Sequence, residues 1–186
     1  MGSIGRRTHR NNVLIGVSEP SLLTDYASIV EYAKKDCLYE GNRLNILKLI
    51  ENKYPDIEVK YIDMPDSQSG SLVFVDGKWI INVNQSHNHN RQKFTIAHEL
   101  GHYIMHKDTK TNFEDYIFFR NNKLDSLEYA ANEFAANILM PEEAVRKLID
   151  SQNVKNIGVL ADIFGVSARA MIYRINNLGY KTKNNG

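Results

Sequence analysis

The sequence predicts an α+β fold, and three observations carry that expectation. Two amphipathic helical stretches precede a cluster of strand patterns, the dipeptide Asp76-Gly77 separates two β-rich runs, and a long apolar helical segment follows them. Taken in order, residues 1–18 contain Arg6, Arg7, His9 and Arg10 with little amphipathic order and are expected to form a flexible, basic N-terminal arm. Residues 22–35 place Tyr26, Ile29, Val30 and Ala33 on one helical face, and residues 42–53 do the same with Leu44, Leu47 and Ile50, with Glu40-Gly41 between the two. Residues 57–63 alternate Ile57, Val59 and Tyr61 inward with polar neighbours, as a half-buried strand does. Asp-Gly readily adopts the left-handed conformations of a two-residue hairpin turn, so Ser71–Val75 and Lys78–Asn84 are expected to pair.

The segment Phe94-Thr-Ile-Ala-His-Glu-Leu-Gly-His-Tyr-Ile-Met-His106 is apolar on nearly every side, as a core helix is, yet it holds His98, Glu99 and His102. Side chains of this kind are costly to desolvate without a partner, and a metal ion is the natural one. Residues four apart share a helical face, so both imidazoles can converge on one zinc ion while Glu99 stands beside it as a general base. Zinc acidifies water, and the glutamate can take the proton and pass it to a leaving amine. The motif therefore predicts a metallopeptidase, with Zn2+ as cofactor and Glu99 as its catalytic residue.

A catalytic zinc site commonly has three protein ligands and an open position. His106 continues the spacing, but along a straight helix it stands about 12 Å from His98, too far to share the ion. His87 and His89 sit in a polar run that reads as a loop. The better candidate is Glu128, in a helix-forming stretch over residues 126–141 that Pro141 ends or bends. Asn132 lies four residues beyond it and can orient a ligand histidine through a hydrogen bond. Glu133 is the rival, although five residues from Glu128 it points from a different side of the helix. The expected metal ligands are His98, His102 and Glu128.

The two blocks, Phe94–His106 and Glu128–Pro141, resemble the two signature blocks of the ImmA/IrrE family of metallo-endopeptidases in order and spacing. The likeness extends upstream through Ser69-Gly70 and Asn82-Val-Asn84 and downstream to Phe164-Gly-Val-Ser167, covering roughly residues 20–180. It implies two histidine ligands and the base from the first block and a glutamate ligand from the second. It also implies a protein substrate, a helix-turn-helix transcriptional repressor whose cleavage relieves repression, as in members from phages and mobile elements. Ending at Gly186, the chain is expected to be of that short type, without the sensor-like domain of radiation-response members. Motif and resemblance together predict a zincin-like metallopeptidase domain over residues 19–150, in which a small sheet accompanies the metal-binding helix. An extended substrate could add to an exposed strand of that sheet, with Val83 or its neighbours at the edge. Residues 113–120, including Tyr116, Ile117, Phe118 and Phe119, fit either another strand or a loop over the site.

Residues 151–186 read as a helix-turn-helix-like region, with Gly165 at the turn and Ser167 as the cap of a second helix. On DNA, Arg169, Tyr173, Arg174 and Asn177 would be its contacts; packed against the peptidase core, the pair would use Leu160, Ile163, Phe164, Met171, Ile172 and Ile175. A formal net charge of +1 argues against nonspecific nucleic-acid binding as the main business of the chain. No apolar run is long enough to span a bilayer and no secretory signal is evident, so a cytoplasmic location without membrane contact is expected. Cys37 is the only cysteine, which excludes an internal disulfide, and is expected to pack within a helix. The competing function class is a noncatalytic metal-bearing adaptor or DNA-binding regulator that sequesters a repressor.

Overall fold

In a computed structural model that describes residues 23–107, 112–116 and 126–182, Asp25 starts helix α1 (Tyr26–Lys35) by accepting a hydrogen bond from the Ser28 amide at 2.9 Å. The arm expected over 1–18 lies outside the described residues. Helix α1 buries Ile29 and Ala33 and leaves Tyr26 exposed. Cys37 is exposed at φ 54°, because the helix has already ended at Asp36; the expectation of a helix-packed thiol does not hold. Tyr39–Glu40 (β1) and Arg43–Leu44 (β2) then pair around Gly41. This small hairpin delays the second helix until Asn45 caps α2 (Ile46–Lys53) by accepting from the Lys48 amide at 3.0 Å. The buried stripe consequently runs Ile46, Leu49, Ile50, while Leu47 faces solvent and Leu44 is buried from β2.

Four strands form one mixed sheet: β3 (Ile57–Ile62), β4 (Gln68–Val75), β5 (Lys78–Asn84) and β6 (Asn112–Tyr116). Their order is β3-β5-β4-β6, with β3 parallel to β5 and the other neighbours antiparallel. Asp76 and Gly77, at φ 49° and 81°, make the expected turn between β4 and β5. The inward series on β3 fades along the strand: Ile57 is buried and Val59 half-buried, but Tyr61 is 43% exposed. Val83 is fully buried on a strand flanked on both sides, so β5 is no substrate edge; β3 takes the side that the sequence leaves open. Part of the ambiguous 113–120 stretch is strand, as β6, and residues 117–120 lie outside the described residues.

Helix α3 (His89–His106), capped by Asn88 on the Arg91 amide at 3.0 Å, lies against β4 and β5 and is buried continuously from Lys93 to Tyr103. Helix α4 (Ser126–Leu139) packs along α3 and stops before Pro141, which introduces α5 (Glu142–Arg146) and a π-helical turn at Lys147–Ser151. Helices α6 (Ile157–Phe164) and α7 (Ala168–Asn177) flank Gly165, and the Ser167 hydroxyl caps α7 on the Ala170 amide at 3.1 Å. Leu160, Phe164, Met171 and Ile175 belong to the same apolar core as Ile96, Leu100 and Leu139. Arg174 is buried and donates from Nε to the Met140 carbonyl at 2.9 Å, so it caps the end of α4 rather than facing a nucleic acid. Among the described residues no helix is long and apolar enough to cross a membrane.

Lys93 donates to the Phe164 carbonyl at 2.8 Å and Arg43 to the Asp162 carbonyl at 2.6 Å, placing two cations at the negative end of α6. Gly165 closes that helix at φ 61°, and a Cβ there would stand 2.7 Å from Lys93 Nζ. Gly165→Ala is therefore expected to lower stability by about 1–2 kcal/mol, from backbone strain plus displacement of the lysine. Urea unfolding checks this, and an unchanged midpoint contradicts it.

Candidate metal centre

The buried α3 helix positions His98, Glu99 and His102 on consecutive turns, each essentially without solvent exposure. The Nε2 atoms of the two histidines lie 2.9 Å apart. From α4, Glu128 closes the triangle, with Oε2 at 3.3 Å from His98 Nε2 and Oε1 at 3.2 Å from His102 Nε2. A tetrahedral ion with bonds of about 2.0–2.1 Å spaces its ligands about 3.3 Å apart, so this donor set fits a zinc-sized cation. It is also the one His/Cys/Asp/Glu group among the described residues whose ligand atoms gather in this way.

Asn132 Oδ1 lies 3.2 Å from His98 Nδ1. A carbonyl oxygen there accepts from Nδ1–H and leaves the Nε2 lone pair for a cation. Burial pushes the His98 imidazole down to about 4, against the opposing pull of Glu128, so the ring is neutral at neutral pH. For Glu128, burial pushes the carboxyl up, but its contacts with His102 and His98 outweigh this and hold it well below the usual carboxylate range. Two imidazoles and one carboxylate form a donor set typical of catalytic zinc.

Two glycines make the geometry possible. A Cβ on Gly101 would stand 3.0 Å from Phe134 Cδ1, so the close crossing of α3 and α4, which brings Glu128 to the histidines, uses the missing side chain. A Cβ on Gly70 of β4 would collide with Thr95 Cγ2 and approach Glu99 Oε1 at 3.1 Å. Its neighbour Ser69, buried at a register shift between β4 and β6, accepts hydrogen bonds from Arg91 Nη2 at 2.8 Å and Nε at 3.3 Å. The bend leading into β4 is pinned by Asn84, which donates to the carbonyls of Met64, Pro65 and Gln68 at 3.1, 3.1 and 2.9 Å. These supports escape a reading based on local spacing, because each acts between elements distant in sequence; the Ser69-Gly70 and Asn82-Val-Asn84 stretches of the resemblance were their one signal.

The rival ligands stay apart from the triangle. Glu133 is exposed, His89 is exposed at the start of α3, and the His106 ring centroid is 5.8 Å from that of His102, on the far side from His98. Tyr103 points into an aromatic cluster with Tyr54 and Trp79 and donates to Asp56 Oδ2 at 2.6 Å, so it braces α3 on its other face. Tyr129 is exposed beside Glu128.

An α+β fold with two histidines from one helix, a carboxylate from the next and a second glutamate buried alongside is an arrangement that metal-dependent hydrolases use. Residues 52–176 match the family described as IrrE N-terminal-like domain, and the chain belongs to that peptidase family. Its curated relatives include the metallopeptidase ImmA of Bacillus subtilis (strain 168), 27% identical over 128 residues that cover 67% of this chain and 73% of that protein. The radiation response metalloprotease IrrE of Deinococcus radiodurans is 29% identical over 99 residues, covering 52% of this chain but 30% of IrrE. Among solved structures, a Mycobacterium tuberculosis transcriptional regulator shares the fold, with a TM-score of 0.57 at 16% identity over 86% of this chain and 47% of that one. Family and relatives together make the chain a protein of metalloprotease type.

The depressed His98 value carries a sign. Between about 4 and the ordinary value of 6.5 the unfolded chain holds a proton on this ring that the folded chain refuses, so folding weakens as pH falls across that interval. Urea unfolding in the presence of chelator is expected to show this decline, and His98→Gln is expected to flatten it; an equal slope in both proteins contradicts the assignment.

Proposed function

We propose that this chain is a zinc-dependent endopeptidase that cleaves a helix-turn-helix transcriptional repressor by water-mediated hydrolysis of one peptide bond. What carries the reading is the spacing of His98 Nε2, His102 Nε2 and Glu128 Oε at 2.9–3.3 Å beside a fully buried Glu99. In this reading His98, His102 and Glu128 hold the ion, and Asn132 positions the His98 ring. Zinc, when bound there, would supply the Lewis acidity that acidifies the attacking water and polarises the scissile carbonyl. Glu99 takes the proton of the attacking water and delivers it to the leaving amine, while the dry α3–sheet junction around it excludes bulk solvent. The peptidase unit spans residues 19–150 and acts in the cytoplasm, and in the C-terminal region the α6–α7 pair covers it and helps to grip the repressor.

A protein substrate is supported by the peptidase family and the metallopeptidase relatives; that it is a repressor is what the resemblance of the two sequence blocks implies. A noncatalytic adaptor would need the ligands but has no use for a glutamate buried beside an open metal position.

Co-expression with the repressor encoded beside it, read by product mass, tests the substrate. Glu99→Gln is expected to keep its metal while cleavage falls by about 10²–10⁴-fold. Glu128→Ala or His98→Ala is expected to lower the metal retained after gel filtration, measured by elemental analysis. Undiminished cleavage by Glu99→Gln would falsify the assigned base.

A further inference from the structure

Glu99 approaches the sheet at β4. A Cβ built on Gly70 would stand 3.1 Å from Glu99 Oε1, so β4 runs directly beside the acid. At that point both edges of β4 are taken: Gly70 faces Val83 of β5 on one side and Asp115 of β6 on the other. An extended peptide is held by pairing along a strand edge, one spacing of about 4.7–4.9 Å from its neighbour. The reacting carbonyl must come within about 3–3.5 Å of the attacking atom. Of the strand positions an extended peptide could take, the one adjoining β4, which β6 occupies, lies nearest Glu99. A strand on the outer edge of β6 would lie two strand spacings, about 9.5 Å, from β4, and one on the outer edge of β3 three spacings, about 14 Å, so both are farther from the acid.

We infer that β6 is an intrachain occupant of the substrate's strand position, and that an extended peptide gains the site by displacing β6 from β4. The inference rests on the peptidase reading of the site and adds its regulation. Exchanging one strand for another conserves the ladder hydrogen bonds, so the replacement has a small net cost. The ladder is also weakest where it matters: β6 has five residues, and its register with β4 shifts between Gln68 and Gly70, beside Glu99.

The test uses the full zinc-loaded chain and a short hydrophobic peptide hydroxamate as probe, with affinity read by calorimetry. Successive amides of a strand point to opposite sides, so Phe113→Pro with Glu114→Pro removes a β6–β4 hydrogen bond whichever way the strand faces. This variant is expected to bind the probe at least about tenfold more tightly than the native chain. Equal or weaker binding at full zinc content overturns the inference. Should the variant lose zinc, a reversible lock decides: Val73 faces Asn112 in the register, so Val73→Cys with Asn112→Cys, in a Cys37→Ser background, can tie β6 down. The oxidised form is expected to bind about tenfold more weakly than the reduced form, and equality overturns the inference. In the native chain the amides of residues 112–116 are expected to exchange faster with probe bound; added protection there would put the peptide on the outer edge of β6 and overturn it too. Probe binding without hydrolysis of any peptide removes the peptidase reading alone, since none of these readouts requires turnover.

Discussion

The crossing of α3 and α4 is the constraint on which the rest of this protein depends. Helix α3 carries His98, Glu99 and His102 through an interior that otherwise accepts Ile96, Leu100 and Tyr103, and polar groups in such surroundings need partners. The partner for the histidines is the Glu128 carboxylate, which arrives on a different helix. It can arrive because Gly101 presents no side chain where Phe134 packs, letting the helices approach closely between His98 and His102. A larger residue at that point would widen the crossing and take the Glu128 carboxylate away from the imidazole pair.

The C-terminal pair α6–α7 is tied to both helices of the crossing. Lys93 and Asn90 of α3 donate to the carbonyls of Phe164 and Val166 at the turn between α6 and α7, at 2.8 and 3.3 Å. Arg174 of α7 caps α4 at Met140, while Tyr39 donates to the neighbouring Ile138 carbonyl at 2.7 Å. The pair that outlines a helix-turn-helix in sequence thus uses three polar connections to hold α3 and α4 in place. On the opposite face, β4 is fixed against α3 through Ser69, Gly70 and the bend pinned by Asn84. The acid and the donor triangle are therefore held from the sheet side and from the helical side.

Several local features were readable without coordinates because they depend on neighbours within one turn or one strand. The i, i+4 histidines, the Asp76-Gly77 turn, the cap at Ser167 and the end of α4 before Pro141 are of this kind. Periodicity also separated Glu128 from Glu133, since residues five apart cannot share a helical face, and in the structure Glu133 is exposed. The same reasoning misplaced Leu47 and Cys37, where a two-residue strand pair and an early helix end reset the phase of the pattern. It left the place of Arg174 open, since a cation on a helix looks alike whether it faces solvent or a buried helix end.

By itself the sequence determined which helix could offer two imidazoles and an acid to a metal, and which downstream helix could complete the set, because helical spacing is a local property. Only the tertiary structure decided that the carboxylate reaches the imidazoles, that β5 is an interior strand, and that β6 lies along β4 beside Glu99. Strand order and helix crossing are set by contacts between residues far apart in the chain, and no local pattern encodes which strand will lie next to which.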